Sequence, residues 1–307
     1  MKKVKALIWA AVMVFAVAVT TVGKADGADT AADSEFVKFR FAHWNIGHFS
    51  YYDGANGKDQ TTISAEKADE MALRYKKVIN EVSPDVMGVA EYEPAFALDG
   101  RLAKDVIFHN FKNQYIGTKY AYNCNSIFMN GMAALSEKEV KFTKMVQTRY
   151  YKVVEVKLKG KIVKIVETHT DWNQGENGAA YRALQIREIL DAFAKDEYVI
   201  LAADWNVDSK VAMEEYQPFI DAGYTMANGG YLGLLSTSPR SKSGGFIDNI
   251  LVKGFAVSNI GVSEESGNLS DHQLIYCDLI MNYGIRETER FLFGACFVRT
   301  RSQYQER

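Results

Sequence analysis

Apolar and polar positions along the chain fall into runs of two kinds. The first are strand-like. They are Phe39-Arg40-Phe41-Ala42-His43-Trp44, Val86-Met87-Gly88-Val89-Ala90, Ile165-Val166-Glu167-Thr168, Val199-Ile200-Leu201-Ala202-Ala203, Phe246-Ile247-Asp248-Asn249-Ile250-Leu251-Val252 and Leu274-Ile275-Tyr276-Cys277-Asp278-Leu279-Ile280. The second are helical. Ala68, Met71, Ala72, Tyr75, Val78, Ile79 and Val82 fall on one helical face, which Ser64 caps and Pro84 closes. A further helix has the stripe Ile186, Ile189, Leu190 and Phe193 and carries Arg182, Gln185 and Arg187. Residues Val153 to Thr168 read as a hairpin turning at Lys159-Gly160, with Val154, Val156 and Leu158 alternating against charged neighbours. Strands alternating with helices, plus a hairpin, predict an α/β fold of mixed sheets covered by helices.

The strand-like runs share a second property: each ends on, or encloses, a polar group. Asn45, Glu91 and His169 follow the first three. Asp204 and Asn206 follow the fourth, Asp248 sits inside the fifth, and Asp271 and His272 precede the sixth. A polar group at the end of a buried strand is costly unless it meets a partner, a metal or water. Ligands also gather beyond the carboxyl ends of parallel strands. The set therefore points to one shared pocket, rich in oxygen ligands and holding two histidines. Such hard donors suit Mg²⁺, Mn²⁺ or Ca²⁺. Taken singly, each residue reads as a satisfied core or surface group. That reading is kept for His43, His48 and His109, with His48 near the pocket rim.

Six segments carry a more specific signal. They are Trp44-Asn45-Ile46, Pro84 to Glu91, Thr168-His169-Thr170, Ala203-Asp204-Trp205-Asn206, Ile247-Asp248-Asn249-Ile250 and Ser270-Asp271-His272. In order and spacing the set resembles the endonuclease/exonuclease/phosphatase superfamily, over roughly residues 37 to 282. The resemblance implies two mixed β-sheets packed face to face with helices outside, a four-layer α/β/β/α sandwich. It implies that Glu91 is the central metal ligand, with Asn45 and Asp271 close to the ion. It also implies that Asp248 orients His272, that His169 binds a phosphate oxygen, and that Asn206 orients the nucleophile or phosphate. Asp204 and His272 compete for the role of general base. The reaction implied is in-line attack of water on phosphorus, with no covalent intermediate. Arg182 reads as structural. Asn123 and Asn125 are candidates for a phosphate contact. Gly47 stands where abasic-site endonucleases carry an aspartate, which argues against that branch.

Composition narrows this picture only slightly. The chain has 307 residues, 48% of them apolar, and four prolines, enough for a sizeable core. Its formal charge of −2 gives no broad basic surface for nucleic acid, although a local groove can be basic in an acidic protein. Residues 1–25 read as a signal peptide: Lys2, Lys3 and Lys5, an apolar stretch from Ala6 to Thr20, and a small-x-small site at Gly23-Lys24-Ala25. Residues 26–35 read as a linker, 36–282 as the domain, and 283–307 as an unassigned tail. The expected location is secreted or periplasmic; the alternative is an uncleaved N-terminal anchor. Three scattered cysteines make neither a disulfide framework nor a zinc pattern. Cys277 reads as core, and pairing of Cys124 with Cys296 stays open.

The leading functional expectation is an exported metal-dependent phosphodiesterase or nuclease, monomeric, acting on nucleic acid, lipid or a small phosphodiester. A phosphomonoesterase or sphingomyelinase-like phospholipase is the alternative. Tyr231-Leu232-Gly233-Leu234-Leu235 is the sole loop candidate for membrane contact. A non-catalytic binding protein on the same fold is the third reading.

Overall fold

Strands and helices alternate through most of the chain in the computed structural model, which describes residues 36–50, 65–172, 176–207, 211–229, 233–238 and 245–282. The proposed leader and linker, Ser64, Tyr231, Leu232 and the tail with Cys296 lie outside the described residues. In chain order the strands are β1 (Phe36–Asn45), β2 (Val86–Ala90), β3 (Ala97–Leu98), β4 (Arg101–Leu102), β5 (Asn113–Tyr115), β6 (Ser126–Met129) and β7 (Ala134–Lys141). They continue with β8 (Tyr150–Leu158), β9 (Lys161–His169), β10 (Tyr198–Asp204), β11 (Thr225–Met226), β12 (Asp248–Lys253), β13 (Phe255–Ser263) and β14 (Leu274–Asn282). The helices are α1 (Ala65–Val82), α2 (Ala103–Val106), α3 (Glu176–Ala192) and α4 (Ala212–Asp221).

Two six-stranded sheets are built on the same plan, in the orders β13-β14-β1-β2-β6-β5 and β11-β12-β10-β9-β8-β7. Each has one parallel pair at its centre, β1 with β2 and β9 with β10, bridged by α1 and α3 respectively. The flanking pairs are antiparallel. Phe39, Phe41, Val86, Val154, Ile165, Ile200 and Ile250 fill the space between the sheets. All seven apolar positions expected on α1 are buried with Ala42, Trp44, Met87 and Val89 on the outer face of the first sheet. On the outer face of the second, Ile186, Ile189 and Phe193 of the α3 region meet Val166, Val199 and Leu201, with Tyr216 and Phe219 of α4. This is the four-layer α/β/β/α sandwich.

The hairpin of β8 and β9 turns where the sequence places it. Lys159 and Gly160 have φ of 44° and 82°, the left-handed pair that matches strand twist in a two-residue turn. Glu155 and Lys157 alternate with the apolar positions of β8 as expected, half-buried and exposed respectively. Val154 and Val156 face the inter-sheet core, but Lys152 and Val153 are buried as well. Lys152 is enclosed because its ammonium reaches Glu137 at 2.9 Å and Glu139 at 3.4 Å on β7. Arg182 is buried too, and its guanidinium grips Glu215 of α4 through Nε (2.8 Å) and Nη2 (2.9 Å). Gln185 donates to the Lys144 carbonyl and to Asp171. Both side chains tie α3 to its neighbours, in keeping with the structural reading of Arg182.

Ile165 is fully buried in the inter-sheet core. Its replacement by alanine is expected to cost about 2–5 kcal/mol, the range for deleting such a side chain from a packed core. Urea unfolding measures this, and a loss below about 0.5 kcal/mol, the size of a surface substitution, would mean the slab is not closely packed.

Candidate active site

Strand periodicity sorts the central residues into two faces. On β1, Trp44 and Ala42 face α1, while Phe39 and Phe41 face the other sheet. The period of two therefore sends His43 and Asn45 inward as well. On β9, Val163 and Ile165 of the inter-sheet core lead to Glu167 and His169. On β10, Ile200 and Ala202 lead to Asp204. On β12, Val252 and Ile250 lead back to Asp248. Register aligns these ends: Asn45 lies opposite Ala90, Asp204 opposite both His169 and Asp248. The slab between the sheets is thus apolar along most of its depth and polar at one edge.

At that edge the side chains meet. Asn45 Nδ2 donates to Asp204 Oδ2 at 3.0 Å. His169 Nε2 lies 3.2 Å from the same oxygen, and its Nδ1 is 3.6 Å from Glu91 Oε1. His272 Nε2 approaches Asp204 Oδ2 to 3.7 Å, while its Nδ1 is 2.8 Å from Asp248 Oδ2. Thr237 Oγ1 donates to Asp248 at 2.7 Å. Asn206 is held by its backbone N–H on Asp204 Oδ1 and by its side-chain amide on the Thr170 carbonyl, both 3.0 Å. Trp44 Nε1 donates to the His272 carbonyl, and Ser270 Oγ to the Asn45 carbonyl, which fixes the loop carrying Asp271 and His272. Asp271 itself is half-buried, and its charge acts on Glu91 and His272. Backbone strain gathers here: Glu91 (φ 52°), Asn206 (49°) and His48 (54°) all sit in the left-handed region.

Charges are strongly perturbed. Burial pushes the Glu91 carboxyl up to about 7 against the pull of His272, with repulsion from Asp271 and Asp204 adding to the rise. Burial likewise raises Asp204 to about 6, opposed by His272. His169 is held well below the usual imidazole range by burial and by Arg149 and His272, so it is neutral. Burial opposes the charge on His272, but Asp248 and Asp204 outweigh it and raise the imidazole well above its ordinary value. Asp248 is depressed: burial works against its charge, and His272 and His43 overcome it. Perturbed groups clustered at one edge of a fold mark a functional site.

Two residues here, Arg149 and Glu167, were not singled out by sequence pattern. Arg149, at the mouth of β8, is buried beside Glu91 and Asp204, and its Nε and Nη1 have no hydrogen-bond partner among the described residues. Glu167 pairs with His43, which reaches Asp248 at 3.2 Å. His43 is a satisfied core histidine, as expected, and it is also joined to the site. His48 meets Glu91 Oε2 at 3.2 Å on the rim, whereas His109 is exposed rather than core. Asn123 and Asn125 donate their amides to the Thr148 and Tyr150 carbonyls, so those N–H groups brace the loop before β8. Leu234 packs against the core beneath α4. Cys277 is core, and the Cys124 thiol donates to the Gly117 carbonyl.

The sequence profile of the endonuclease/exonuclease/phosphatase family matches residues 42–272. The chain belongs to this family. Its members are generally hydrolases acting on phosphate esters, nucleases and phosphodiesterases among them, and divalent-metal dependence is typical. An endonuclease/exonuclease/phosphatase from Beutenbergia cavernae superposes with a TM-score of 0.60 at 18% identity, over 80% of this chain and 72% of that one. One from Bacteroides vulgatus gives 0.58 at 18%, over 79% and 98%. D. rerio TDP2, complexed with a single strand DNA product, gives 0.55 at 16%, over 79% and 98%. No curated protein matches the sequence. Among the described residues of this family member, Asp204, Asp248 and His272 also bring ligand atoms within 4.8 Å of one another. Asp248 and His272 of this group are already hydrogen-bonded to each other, through Nδ1 of the imidazole.

Proposed function

We propose that this family member is an exported, metal-dependent phosphodiesterase or nuclease. The observation that carries the reading is the convergence of the Asp248–His272 pair, Asp204, His169, Asn45 and Glu91 at one edge of the sandwich. Glu91, Asn45 and Asp271 would hold a divalent cation. Their oxygens suit Mg²⁺, Mn²⁺ or Ca²⁺, and the mutual repulsion of Glu91, Asp204 and Asp271 fits a site that takes up positive charge. The bound ion would neutralise the phosphate and stabilise the leaving oxygen.

The remaining chemistry falls to the side chains. Asp248 holds the His272 ring at Nδ1, leaving Nε2 toward Asp204 and the reacting centre. Asp204 takes the proton of the attacking water, while His272, whose raised imidazole already carries its proton, aligns that water and steadies the charge on Asp204. His169 is neutral, and its Nδ1 has no hydrogen-bond partner among the described residues, so it is suited to a phosphate oxygen. Nε and Nη1 of Arg149, which have no hydrogen-bond partner among the described residues, offer a second anchor for the same group. Asn206, fixed by Asp204 and Thr170, orients the nucleophile. No cysteine or serine nucleophile is needed.

A substrate panel with Mg²⁺ tests the reading: plasmid DNA, RNA, bis-p-nitrophenyl phosphate, p-nitrophenyl phosphate and sphingomyelin. Hydrolysis of the nucleic acids and bis-p-nitrophenyl phosphate ahead of p-nitrophenyl phosphate and sphingomyelin is expected. Preference for p-nitrophenyl phosphate or sphingomyelin would favour the alternative activities, and no hydrolysis of any would favour a binding protein.

Export is proposed from the basic-then-apolar leader, Lys2 to Thr20, followed by Gly23-Lys24-Ala25. Mass spectrometry of protein from its native host is expected to find a mature N-terminus between about residues 20 and 30. An intact Met1 in the membrane fraction would instead support the anchor.

A further inference from the structure

One level below the rim, the inter-sheet slab holds an acid and an imidazole that the proposed reaction does not touch. Glu167 of β9 and His43 of β1 are both fully buried. His43 Nδ1 lies 3.0 Å from Glu167 Oε1 and 3.3 Å from Oε2. The other ring nitrogen, Nε2, lies 3.2 Å from Asp248 Oδ1. The second oxygen of Asp248 is 2.8 Å from His272 Nδ1. Glu167, His43, Asp248 and His272 therefore form one continuous line, running from the apolar core to the reacting edge and crossing between the sheets twice. Space is left for it. Gly88 stands opposite His43 on the neighbouring strand, and a Cβ there would fall 1.9 Å from Glu167 Oε2.

Energetics give no reason for this pair to persist as a stabilising contact. Buried acid–base pairs lose hydration, and replacing them with apolar residues of like volume is often neutral or stabilising. Its placement does give a reason. Glu167 engages Nδ1 of His43, which leaves Nε2 turned to Asp248. Asp248 is then gripped at both oxygens, by His43 on one and by His272 and Thr237 on the other. A carboxylate so held cannot rotate without losing a bond, and the His272 ring inherits that rigidity, with Nε2 kept toward Asp204.

We propose that Glu167 and His43 are positioning residues for His272, acting through the carboxylate of Asp248. The inference rests on the reading of His272 as a working group of the site. Residues that support an active-site ligand or base from behind typically change its performance about 10–100-fold.

The test compares wild type with the apolar double variant His43→Leu/Glu167→Leu, with His43→Gln, and with Gly88→Ala, which crowds Glu167. Each is made with and without His272→Ala. The readouts are kcat and KM on bis-p-nitrophenyl phosphate at saturating Mg²⁺, together with Tm. The apolar pair should keep or raise Tm, leave KM unchanged and lower kcat about 10–100-fold. His43→Gln, which retains a donor for Asp248, should lose less. Gly88→Ala should lower kcat without changing KM, and it carries the test if the apolar pair does not fold. None of these changes should cost anything further in the His272→Ala background. Wild-type kcat in the folded variants would overturn the inference alone, as would an equal further loss without His272. A wild-type rate for His272→Ala itself would overturn both the inference and the functional reading beneath it.

Discussion

Replacing His272 with alanine is expected to lower kcat about 10²–10⁴-fold, the contribution of a positioned general acid or base. The reason is geometric. His272 is the one imidazole placed between a depressed carboxylate, Asp248 at 2.8 Å, and the raised carboxyl of Asp204 at 3.7 Å. Asp248→Asn is expected to damage the same step, because the amide cannot hold the ring as the carboxylate does. If Asp248 acts only through His272, the double variant should be little worse than His272→Ala alone, as groups that work as a unit are strongly non-additive. Measurement of kcat for both singles and the double at saturating metal decides this. Fully multiplicative losses would mean that the two residues act independently.

Chelation is expected to have the larger effect: exhaustive dialysis against EDTA should abolish hydrolysis, and Mg²⁺ or Mn²⁺ should restore it. Glu91 is the residue on which this depends most. It follows β2 in a left-handed conformation (φ 52°), which turns its carboxylate to meet His169 and His48 beside Asp204 and Asp271. Glu91→Gln removes the charge but keeps the shape. Loss of groups that merely support a metal ligand costs about 10–100-fold in affinity, so loss of the ligand charge should raise the Mg²⁺ concentration for half-maximal rate by at least that much. An unshifted Mg²⁺ dependence in Glu91→Gln would remove Glu91 from the metal site.

Much of this was legible in the sequence because strand ends advertise themselves. An apolar run such as Val199–Ala203 that stops at Asp204 can only place the carboxylate at the end of a buried strand, and the ordered repetition of such endings shows that they converge. The helical face from Ala68 to Val82 and the Lys159-Gly160 turn were equally plain, since each follows from local periodicity or backbone preference. Pairing across space was not legible. Glu167 and His43 sit inside strands where alternation says only that they face inward, and nothing in a linear pattern joins β1 to β9 across the slab. Arg149 follows a loop, and no periodicity tells which way its guanidinium turns. The burial of Lys152, just ahead of the predicted hairpin, was not legible either: Glu137 and Glu139 on the adjacent strand enclose it, a tertiary contact that no local pattern reports.

The most direct test of the account is a Mg²⁺ titration of metal-stripped wild-type protein and of His272→Ala, following release of p-nitrophenol from bis-p-nitrophenyl phosphate. Neither protein is expected to release p-nitrophenol before metal is added. A saturable rise with Mg²⁺ is expected in the wild type, with a plateau about 10²–10⁴-fold lower in His272→Ala. Full activity of the stripped wild type, or equal plateaus for the two proteins, would contradict the account.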